Sequence, residues 1–265
     1  MNDALGDDVG DDRPSSARVW NYYLGGKDNY AVDREAAHAV MAHFPAMGRV
    51  ALESRRFLGR AVTYLVEKGV DQFLDIGTGL PTIENTHEIA QRLDPAARIV
   101  YVDNDPLVLS HARALLTSTP TGACDYLDAD LRDPGDVLGR AARTLDFGRP
   151  VALMLVAVVH HLVDDAEAAA VVAELAGALA PGSHMALVHA TADFHGRSVA
   201  DGIRSFNDAD GTPLCTRTRA QVSAFFDGMD LVDPGLVSTS RWRGDPDGDD
   251  REVPQWAGVA GVRGR

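Results

Sequence analysis

The sequence predicts an α/β fold in which a mostly parallel, seven-stranded β-sheet carries helices on both faces. From residue 70 onward, short apolar segments alternate with helical patterns, as in consecutive βαβ units. Hydrophobic residues make up 45% of the chain and charged residues 24%, which is the composition of an ordinary globular domain. No internal repeat or linker divides the 265 residues, so a single domain is predicted.

Composition also disfavours several classes of function and location. The formal net charge of −14 repels a phosphate backbone, so nucleic acid is not expected as a partner. No apolar run reaches the roughly 20 residues of a membrane span, and the acidic amino terminus is unlike a signal peptide, so we expect a cytoplasmic protein without a membrane partner. Cys124 and Cys215 lie far apart, which favours a reducing compartment and predicts no metal site.

The amino-terminal part of the chain is predicted to be helical. Residues 1–14 are rich in aspartate and have little to bury, so we expect them to form a disordered acidic tail. Three helical patterns follow within residues 15–68, and we expect them to form a helical cap on a core made of residues 69–265. Asp33 is predicted to cap the second helix, and the third helix is expected at 48–68.

The core is predicted to alternate strands with helices until its last two strands. Strands are expected at 71–76, 98–103, 123–128, 150–158, 184–190, 229–238 and 255–262. Helices are expected at 82–93, 105–117, 135–145, 164–180 and 217–227. Between them, the polar stretch 191–216 is predicted to be irregular.

The sharpest local signal is the segment FLDIGTGLP at 73–81, an apolar strand that runs into a turn and a helix. Gly77 and Gly79 would let the backbone approach a ligand closely. Thr82 stands where the dinucleotide fingerprint has its third glycine, so a pyrophosphate ligand is disfavoured. Asp75 suits a ligand with sulfonium and ammonium groups, such as S-adenosylmethionine. By itself, the segment is also compatible with an ordinary tight turn.

A second strand ends in an acidic residue and suggests a ribose site. Asp103 would accept hydrogen bonds from both ribose hydroxyls, and Asn104 beside it is assigned to the same cofactor site. Asp105 is better explained as the cap of the following helix. At the end of the third strand, Asp130 is predicted to accept from an adenine amino group while Leu131 packs on the ring. These strand ends should meet at one crevice.

The chain resembles a bacterial S-adenosyl methyltransferase family, class I and Rossmann-like, that was long of unknown function. The resemblance rests on ARVWNYYLGGKDNY at 17–30, FLDIGTGLPT at 73–82, NTHE at 85–88 and VYVDNDP at 100–106. It implies S-adenosylmethionine as cofactor and the strand order 3-2-1-4-5-7-6 with a reversed last strand. It also carries the cofactor-binding roles over to Asp75, Gly77, Gly79 and Asp103. Ser54 departs from the family pattern, in which we expect asparagine.

With this resemblance, the cap is interpreted as a cover over the crevice. Its Gly25-Gly26 pair permits a sharp turn, and Tyr22, Tyr23 and Tyr30 would shield the crevice from water. Lys27 or Arg55 would pair with the methionine carboxylate. Without the resemblance, a helix end followed by a solvated turn is the simpler interpretation.

The fourth strand ends near His160 and His161, where a methyl acceptor must lie. A neutral His160 would take the acceptor's proton, although a histidine at a strand end is more often a structural residue. The strand lacks the Asn/Asp-Pro-Pro-aromatic pattern of enzymes that methylate nucleobase amino groups.

These observations predict a methyltransferase that acts on an unidentified small-molecule acceptor by direct displacement. Residues 191–216 are expected to help shape the acceptor pocket. A non-catalytic protein that binds or senses S-adenosylmethionine is the alternative. A nicotinamide-dependent oxidoreductase is opposed by Thr82 and Asp75. The sequence does not indicate an oligomeric state.

Overall fold

The computed structural model describes residues 13–82, 84–115, 117–209, 211–245 and 248–263. The acidic tail predicted for residues 1–14 lies almost entirely outside this part of the chain. No helix of the described residues is both long enough and apolar enough to cross a membrane.

One mixed sheet forms the centre of the described chain. Its strands are β1 (Gln72–Ile76), β2 (Arg98–Asp103), β3 (Ala123–Asp128), β4 (Ala152–Val156), β5 (His184–Ala190), β6 (Met229–Leu231), β7 (Val237–Ser238) and β8 (Gln255–Val262). The order is β3-β2-β1-β4-β5-β8-β6, with β7 also paired to β8. The first five strands are parallel, and β8 runs antiparallel to β5. The expected order and reversed last strand are therefore confirmed.

The sheet has eight strands rather than the predicted seven because one expected strand is interrupted. Pro234 and Gly235 turn the chain inside the segment 229–238, leaving β6 and β7 as separate short strands. Proline has no N–H to donate to a neighbouring strand, so it breaks a ladder at this point. Gly235 has φ 85° and donates its N–H to the Val232 carbonyl at 2.7 Å.

Helices cover both faces of the sheet, as the near-continuous apolar strands require. They are α1 (Ser16–Tyr23), α2 (Ala31–His43), α3 (Met47–Glu67), α4 (Thr86–Leu93), α5 (Pro106–Leu115), α6 (Pro134–Ala141), α7 (Asp165–Gly177), α8 (Arg197–Asp208) and α9 (Arg219–Ala224). Helices α3 and α4 pack in one apolar cluster with the sheet, while α6, α7 and α9 pack in another. All five residues of β1 are buried between these layers.

Among the differences from the predicted helices, one boundary and one missed helix have a clear physical reason. Helix α4 begins at Thr86 rather than at 82, because Asn85 and Glu88 form a reciprocal capping box at its start. The stretch 191–216 contains α8, although it was predicted to be irregular. Its apolar side chains Val199 and Phe206 are seven positions apart, which is helical spacing, and they are buried on one face.

Asp33 organises the cap from inside the first turn of α2 rather than as its predicted cap residue. Its buried carboxylate accepts hydrogen bonds from the backbone N–H groups of Ser15 at 2.9 Å and Tyr30 at 2.8 Å. It also pairs with Arg18 Nε at 2.7 Å, where both side chains are almost fully buried. This single carboxylate therefore fixes the start of α1 and the start of α2.

Helix α2 packs on α8, so the cap is attached to the carboxyl-terminal half of the core. Their contact includes Val40 and Phe206, which share an apolar cluster with Val19 of α1. Gly202 lies under Val40, and a Cβ at that glycine would be 3.3 Å from Val40 Cγ1. The close approach of the two helices therefore depends on a residue without a side chain.

We expect Asp33→Ala to lower the free energy of unfolding by about 3 to 5 kcal/mol, because it leaves the buried Arg18 guanidinium without this carboxylate. Urea denaturation measures the change. The matched control is Asp230→Ala, which removes an exposed ion pair with Arg263 at 2.9 Å and should cost less than about 1 kcal/mol. Equal effects of the two variants would contradict a central role for Asp33.

Candidate functional site

A cavity opens at the carboxyl ends of the parallel strands, where the strand order reverses between β1 and β4. Its volume is about 260 Å³, close to the lower limit of about 300 Å³ for small-molecule pockets. The loops after β1, β2, β3 and β4 form one side, and residues of the cap and α8 form the other. It brings together most of the predicted site residues: Arg55, Asp75, Gly77, Gly79, Asp103, Asn104, Asp130, Leu131 and His160.

The two glycines of the loop after β1 have different reasons to be glycine. Both have positive φ, 74° at Gly77 and 63° at Gly79. A Cβ at Gly77 would lie 2.3 Å from Val158 Cγ2, so this position is closed by the loop after β4 rather than by a ligand. At Gly79, no heavy atom of the described residues lies within 4 Å of the Cβ position. Only Gly79 thus leaves room for close approach of a ligand.

Asp103 links the loop after β1 to the end of β2. Its carboxylate accepts the Gly79 N–H at 2.8 Å and the Asp105 N–H at 3.1 Å, one on each oxygen. A carboxylate has about four lone-pair positions, so each oxygen can still accept from a ligand. Burial raises the pKa of Asp103 above its usual value.

Asp105 is the N-cap of α5, as predicted, and it also bonds to the amino-terminal helical segment through Ser15. One carboxylate oxygen accepts the Leu107 N–H at 2.9 Å, which satisfies the first turn of the helix. The other accepts the hydroxyl of Ser15. The residue therefore connects the start of α1 to the end of β2, a contact that helix capping alone does not predict.

Asp75 of β1 and Arg55 of α3 are ionisable residues of the cavity that lie close enough to influence each other's pKa. Asp75 is 4% exposed and accepts the Thr86 hydroxyl at 2.6 Å. Burial raises the pKa of Asp75 to about 6, against the opposing effects of the Thr86 hydrogen bond and Arg55. Burial likewise lowers the pKa of Arg55, which donates to the Glu84 carbonyl at 3.3 Å. Both side chains line the cavity.

Asp130 and Leu131 follow β3, and Asn104 follows β2, on the same side of the cavity. Leu131 is buried, whereas the Asp130 side chain is 43% exposed. Asn104 Nδ2 donates to Asp130 Oδ2 at 3.5 Å, and the Arg132 N–H donates to Asp130 Oδ1 at 2.9 Å. The structure thus places an apolar surface beside an oriented carboxylate.

Tyr22 and Lys27 are not among the residues that line the cavity. On α1, Trp20 and Tyr23 face it instead, since residues three apart share a helix face. Tyr22 points away and contacts His38 Nε2 at 2.6 Å through its hydroxyl. Lys27 follows the glycine turn and is exposed. Arg55 is therefore the residue of the predicted pair that the fold brings to the site.

His160 lies in a 3-10 turn after β4 and is buried. Its Nδ1 has no hydrogen-bond partner among the described residues. Burial lowers its pKa well below the usual value, and the nearby His161, His189 and Arg217 lower it further. The imidazole is therefore neutral near pH 7. His161 contacts the Ser16 hydroxyl at 3.0 Å and so ties α1 to this turn.

Other cavity residues were not anticipated from the sequence. Ala157 has φ 61°, a left-handed backbone that is uncommon for a residue with a Cβ, and this conformation turns the chain from β4 toward the histidines. Ser54 donates to Gln255 Oε1 at 3.0 Å, so α3 meets β8 at the cavity wall. Thr82 Oγ1 is buried with no partner within the described chain. Sequence periodicity carries no signal for a single left-handed residue or for a contact between distant segments.

The sequence profile of a family described as S-adenosyl methyltransferase matches residues 2–264. The chain belongs to this family. It is a methyltransferase, and S-adenosylmethionine is its cofactor. None of the curated proteins matches the sequence.

Crystal structures related to this S-adenosyl methyltransferase support the same family. A DUF574 family protein from Streptomyces avermitilis is 40% identical, with a TM-score of 0.91 and a match over 95% of this chain and 98% of that chain. A candidate methyltransferase from Thermobifida fusca is 37% identical, with a TM-score of 0.88 over 98% of this chain and 100% of that chain.

Magnesium protoporphyrin IX methyltransferase from Synechocystis, solved with bound S-adenosylmethionine, matches 99% of this chain and 100% of that chain. Its 16% identity and TM-score of 0.52 indicate a common fold alone. The Rossmann-like methyltransferase architecture predicted for the chain is thereby confirmed.

We expect the buried Asp75 to make the stability of this methyltransferase fall as the pH rises between about 4 and 6. The folded pKa of about 6 exceeds the unfolded value of about 4, so the folded state alone keeps its proton in this interval. Asp75→Asn should remove this contribution, on the order of 2 to 3 kcal/mol. Urea denaturation of both proteins at several pH values measures it, and parallel profiles would contradict the assignment.

Proposed function

We propose that this methyltransferase transfers a methyl group to a small molecule held in the cavity between the strand ends and the cap. The observation that carries the proposal is the cover that α1 and α8 place over the strand-end acids, through Trp20, Tyr23 and Phe206 among others. A covered cavity of about 260 Å³ suits a small acceptor better than a polymer. The net charge of −14 further disfavours nucleic acid.

The residues present fit the cofactor. Asp103 accepts from the ribose hydroxyls, using the lone pairs that Gly79 and Asp105 leave free. Gly79 permits close approach, because a Cβ there meets no described atom. Asp130 and Asn104 bind the adenine edge, and Leu131 packs on its face.

The methionine end of the cofactor is bound by Asp75 of β1 and Arg55 of α3. Asp75 receives the ammonium group, and Arg55 receives the carboxylate. Burial raises the pKa of Asp75. The positive ammonium group of the ligand would oppose this shift, because it favours the ionised carboxylate. When bound, S-adenosylmethionine supplies an electrophilic methyl group, whose carbon–sulfur bond breaks with both electrons left on sulfur.

His160 takes the proton that the acceptor loses when its lone pair forms the bond to carbon. Its imidazole is neutral at pH 7, since burial and three basic neighbours lower its pKa. The same neighbours make imidazolium costly, so His160 is a weak base that assists an acceptor of low pKa. Alignment of the acceptor and exclusion of water by the cap then supply most of the rate enhancement.

We assign different roles to the amino-terminal segment and to the rest of the chain. Residues 15–68 act as the cover of the site and supply Arg55, and residues 69–265 form the Rossmann-like core that supplies the other cofactor-binding residues. Ser15 and Ser16 support this division because they hydrogen-bond Asp105 and His161 of the core.

Incubation with methyl-labelled S-adenosylmethionine and cell extract tests the function. The extract is first separated by dialysis into small molecules and macromolecules. We expect chromatography to show label in a new product of the dialysable fraction, distinct from S-adenosylmethionine, and no added label in macromolecules, relative to the same incubation without the protein. Label in protein or nucleic acid would overturn the proposed acceptor class, and cofactor binding without any transfer would favour a sensing role.

We expect Asp103→Ala to weaken adenosylhomocysteine binding by about tenfold to several thousandfold, since each unpaired hydroxyl in a closed pocket costs roughly 1–3 kcal/mol. Asp133→Ala is the matched control. It removes a helix cap, the acceptor of the Asp136 N–H at 3.0 Å, at a residue that does not line the cavity. Asp133→Ala should bind adenosylhomocysteine with unchanged affinity and lose about 1 kcal/mol of folding stability.

Calorimetric titration of these variants and of Asp105→Ala decides where the ribose binds. Asp105→Ala should reduce the affinity for adenosylhomocysteine less than Asp103→Ala does. It removes the hydrogen bonds to the Ser15 hydroxyl and the Leu107 N–H, and neither is a contact with the ligand. Normal binding by Asp103→Ala together with lost binding by Asp105→Ala would move the ribose contact two residues along the chain.

We expect adenosylhomocysteine to raise the melting temperature at concentrations where NAD does not, because a ligand that binds only the folded state stabilises it. Differential scanning fluorimetry measures both shifts. Equal shifts, or a larger one with NAD, would contradict the binding site proposed for the cofactor.

A further inference from the structure

The walls of the cavity divide by charge into two parts. The floor is the part at the strand ends and on α3, and it carries the ionisable side chains Arg55, Asp75, Asp103, Asp105, Asp130 and Arg132. The roof is the part formed by α1, α2, α8 and the residues directly after α2 and α8. Among the described residues of the roof that line the cavity, there is no Asp, Glu, Lys or Arg. The proposed cofactor site uses the floor, so the acceptor must occupy the roof.

The polar groups of the roof that line the cavity offer no opposite charge to a buried ion. Asn21 is 4% exposed, and its Oδ1 already accepts the Asp28 N–H at 3.1 Å and Asn29 Nδ2 at 3.0 Å. The Ser16 hydroxyl is engaged by His161 at 3.0 Å. Burial raises the pKa of Tyr23, so this side chain stays neutral. An ionised acceptor would lose its hydration here without gaining an ion pair.

Aromatic side chains supply much of the roof surface. Trp20 and Tyr23 come from α1, Phe44 follows α2, and Phe206 comes from α8. Trp20 and Tyr23 meet edge to face, with ring centroids 6.3 Å apart. Val199 and Ile203 add aliphatic surface on α8. Large, rigid rings of this kind gain most from contact with a flat apolar ligand.

The histidine turn marks the border between roof and floor. His161 binds Ser16 of the roof, and its neighbour His160 is 7% exposed and lines the cavity. His160 Nδ1 has no partner among the described residues. A polar group carried by a ligand in the roof therefore meets a histidine where the floor begins.

We propose that the methyl acceptor is an uncharged molecule with a flat, largely apolar ring system, bound by the roof and presenting one hydroxyl or similar polar group at the histidine turn. This inference rests on the proposed function, because it assumes that the floor holds the cofactor.

Three naphthalene probes of matched shape test the inference: neutral 2-naphthol, anionic 2-naphthoate and cationic 2-(aminomethyl)naphthalene. Each is titrated by calorimetry into the full-length protein at pH 7 in the presence of saturating adenosylhomocysteine. We expect 2-naphthol to bind at least about tenfold more tightly than either charged probe. A charged probe loses its hydration in the roof without gaining an ion pair, whereas the neutral probe has no charge to desolvate. Binding of adenosylhomocysteine is measured separately in the absence of probe.

Variants locate the probe. Ile203→Glu places a charge in the roof and should weaken 2-naphthol binding by about tenfold or more, while adenosylhomocysteine affinity stays the same. Ile203→Trp fills the same space without charge and should have the same effect, which keeps the test usable if the glutamate variant does not fold. Leu231→Glu is the control, since Leu231 is 40% exposed on β6 and does not line the cavity. It should bind both ligands normally.

The outcomes separate the two proposals. Failure of adenosylhomocysteine to bind would overturn the proposed cofactor site. The relative affinities of the three probes would then be the only test of the acceptor class. Normal adenosylhomocysteine binding with equal or tighter binding of a charged probe would overturn the acceptor class. Displacement of 2-naphthol by adenosylhomocysteine, or normal 2-naphthol binding by both Ile203 variants, would also overturn it.

Discussion

The site depends on the reversal of strand order between β1 and β4. From β1 the chain crosses to β2 on one side, and from β4 it crosses to β5 on the other, so the loops at their carboxyl ends diverge and leave a crevice. The packing of Gly77 against Val158 closes the bottom of this crevice. The Gly79 N–H, held by Asp103, fixes its rim. Topology therefore positions the acids before any ligand binds.

The cover of the crevice comes from two segments that are distant in sequence. The buried carboxylate of Asp33 accepts hydrogen bonds from the residues that precede α1 and α2. Helix α2 packs on α8 through Val40 and Phe206. Ser15 and Ser16 then tie this assembly to the ends of β2 and β4. The cap is thus fastened at both sides of the crevice.

The sequence predicted what local periodicity and strand ends determine, and missed what tertiary packing determines. Apolar runs located the parallel strands, and the acids after β1, β2 and β3 were predicted to meet because parallel strands end at one edge. Of the three tyrosines predicted to shield the crevice, only Tyr23 lines the cavity, because packing against α2 sets the rotation of α1. Helix α8 was missed although Val199, Ile203 and Phe206 have helical spacing, because the surrounding stretch 191–216 is largely polar. The left-handed Ala157 has no signature in residue type.

The separation of a charged floor from an uncharged roof has an evolutionary consequence. The floor belongs mainly to the loops of the parallel strands, while the roof belongs to α1, α2 and α8, so roof residues away from Ser15 and Ser16 can change without altering a floor residue. With the proposed acceptor site in the roof, divergence of such enzymes toward new acceptors would proceed through the roof helices without loss of the cofactor. A mutant library that changes α8 together with its contact surface on α2 samples acceptor preference most efficiently, because these helices pack as a pair.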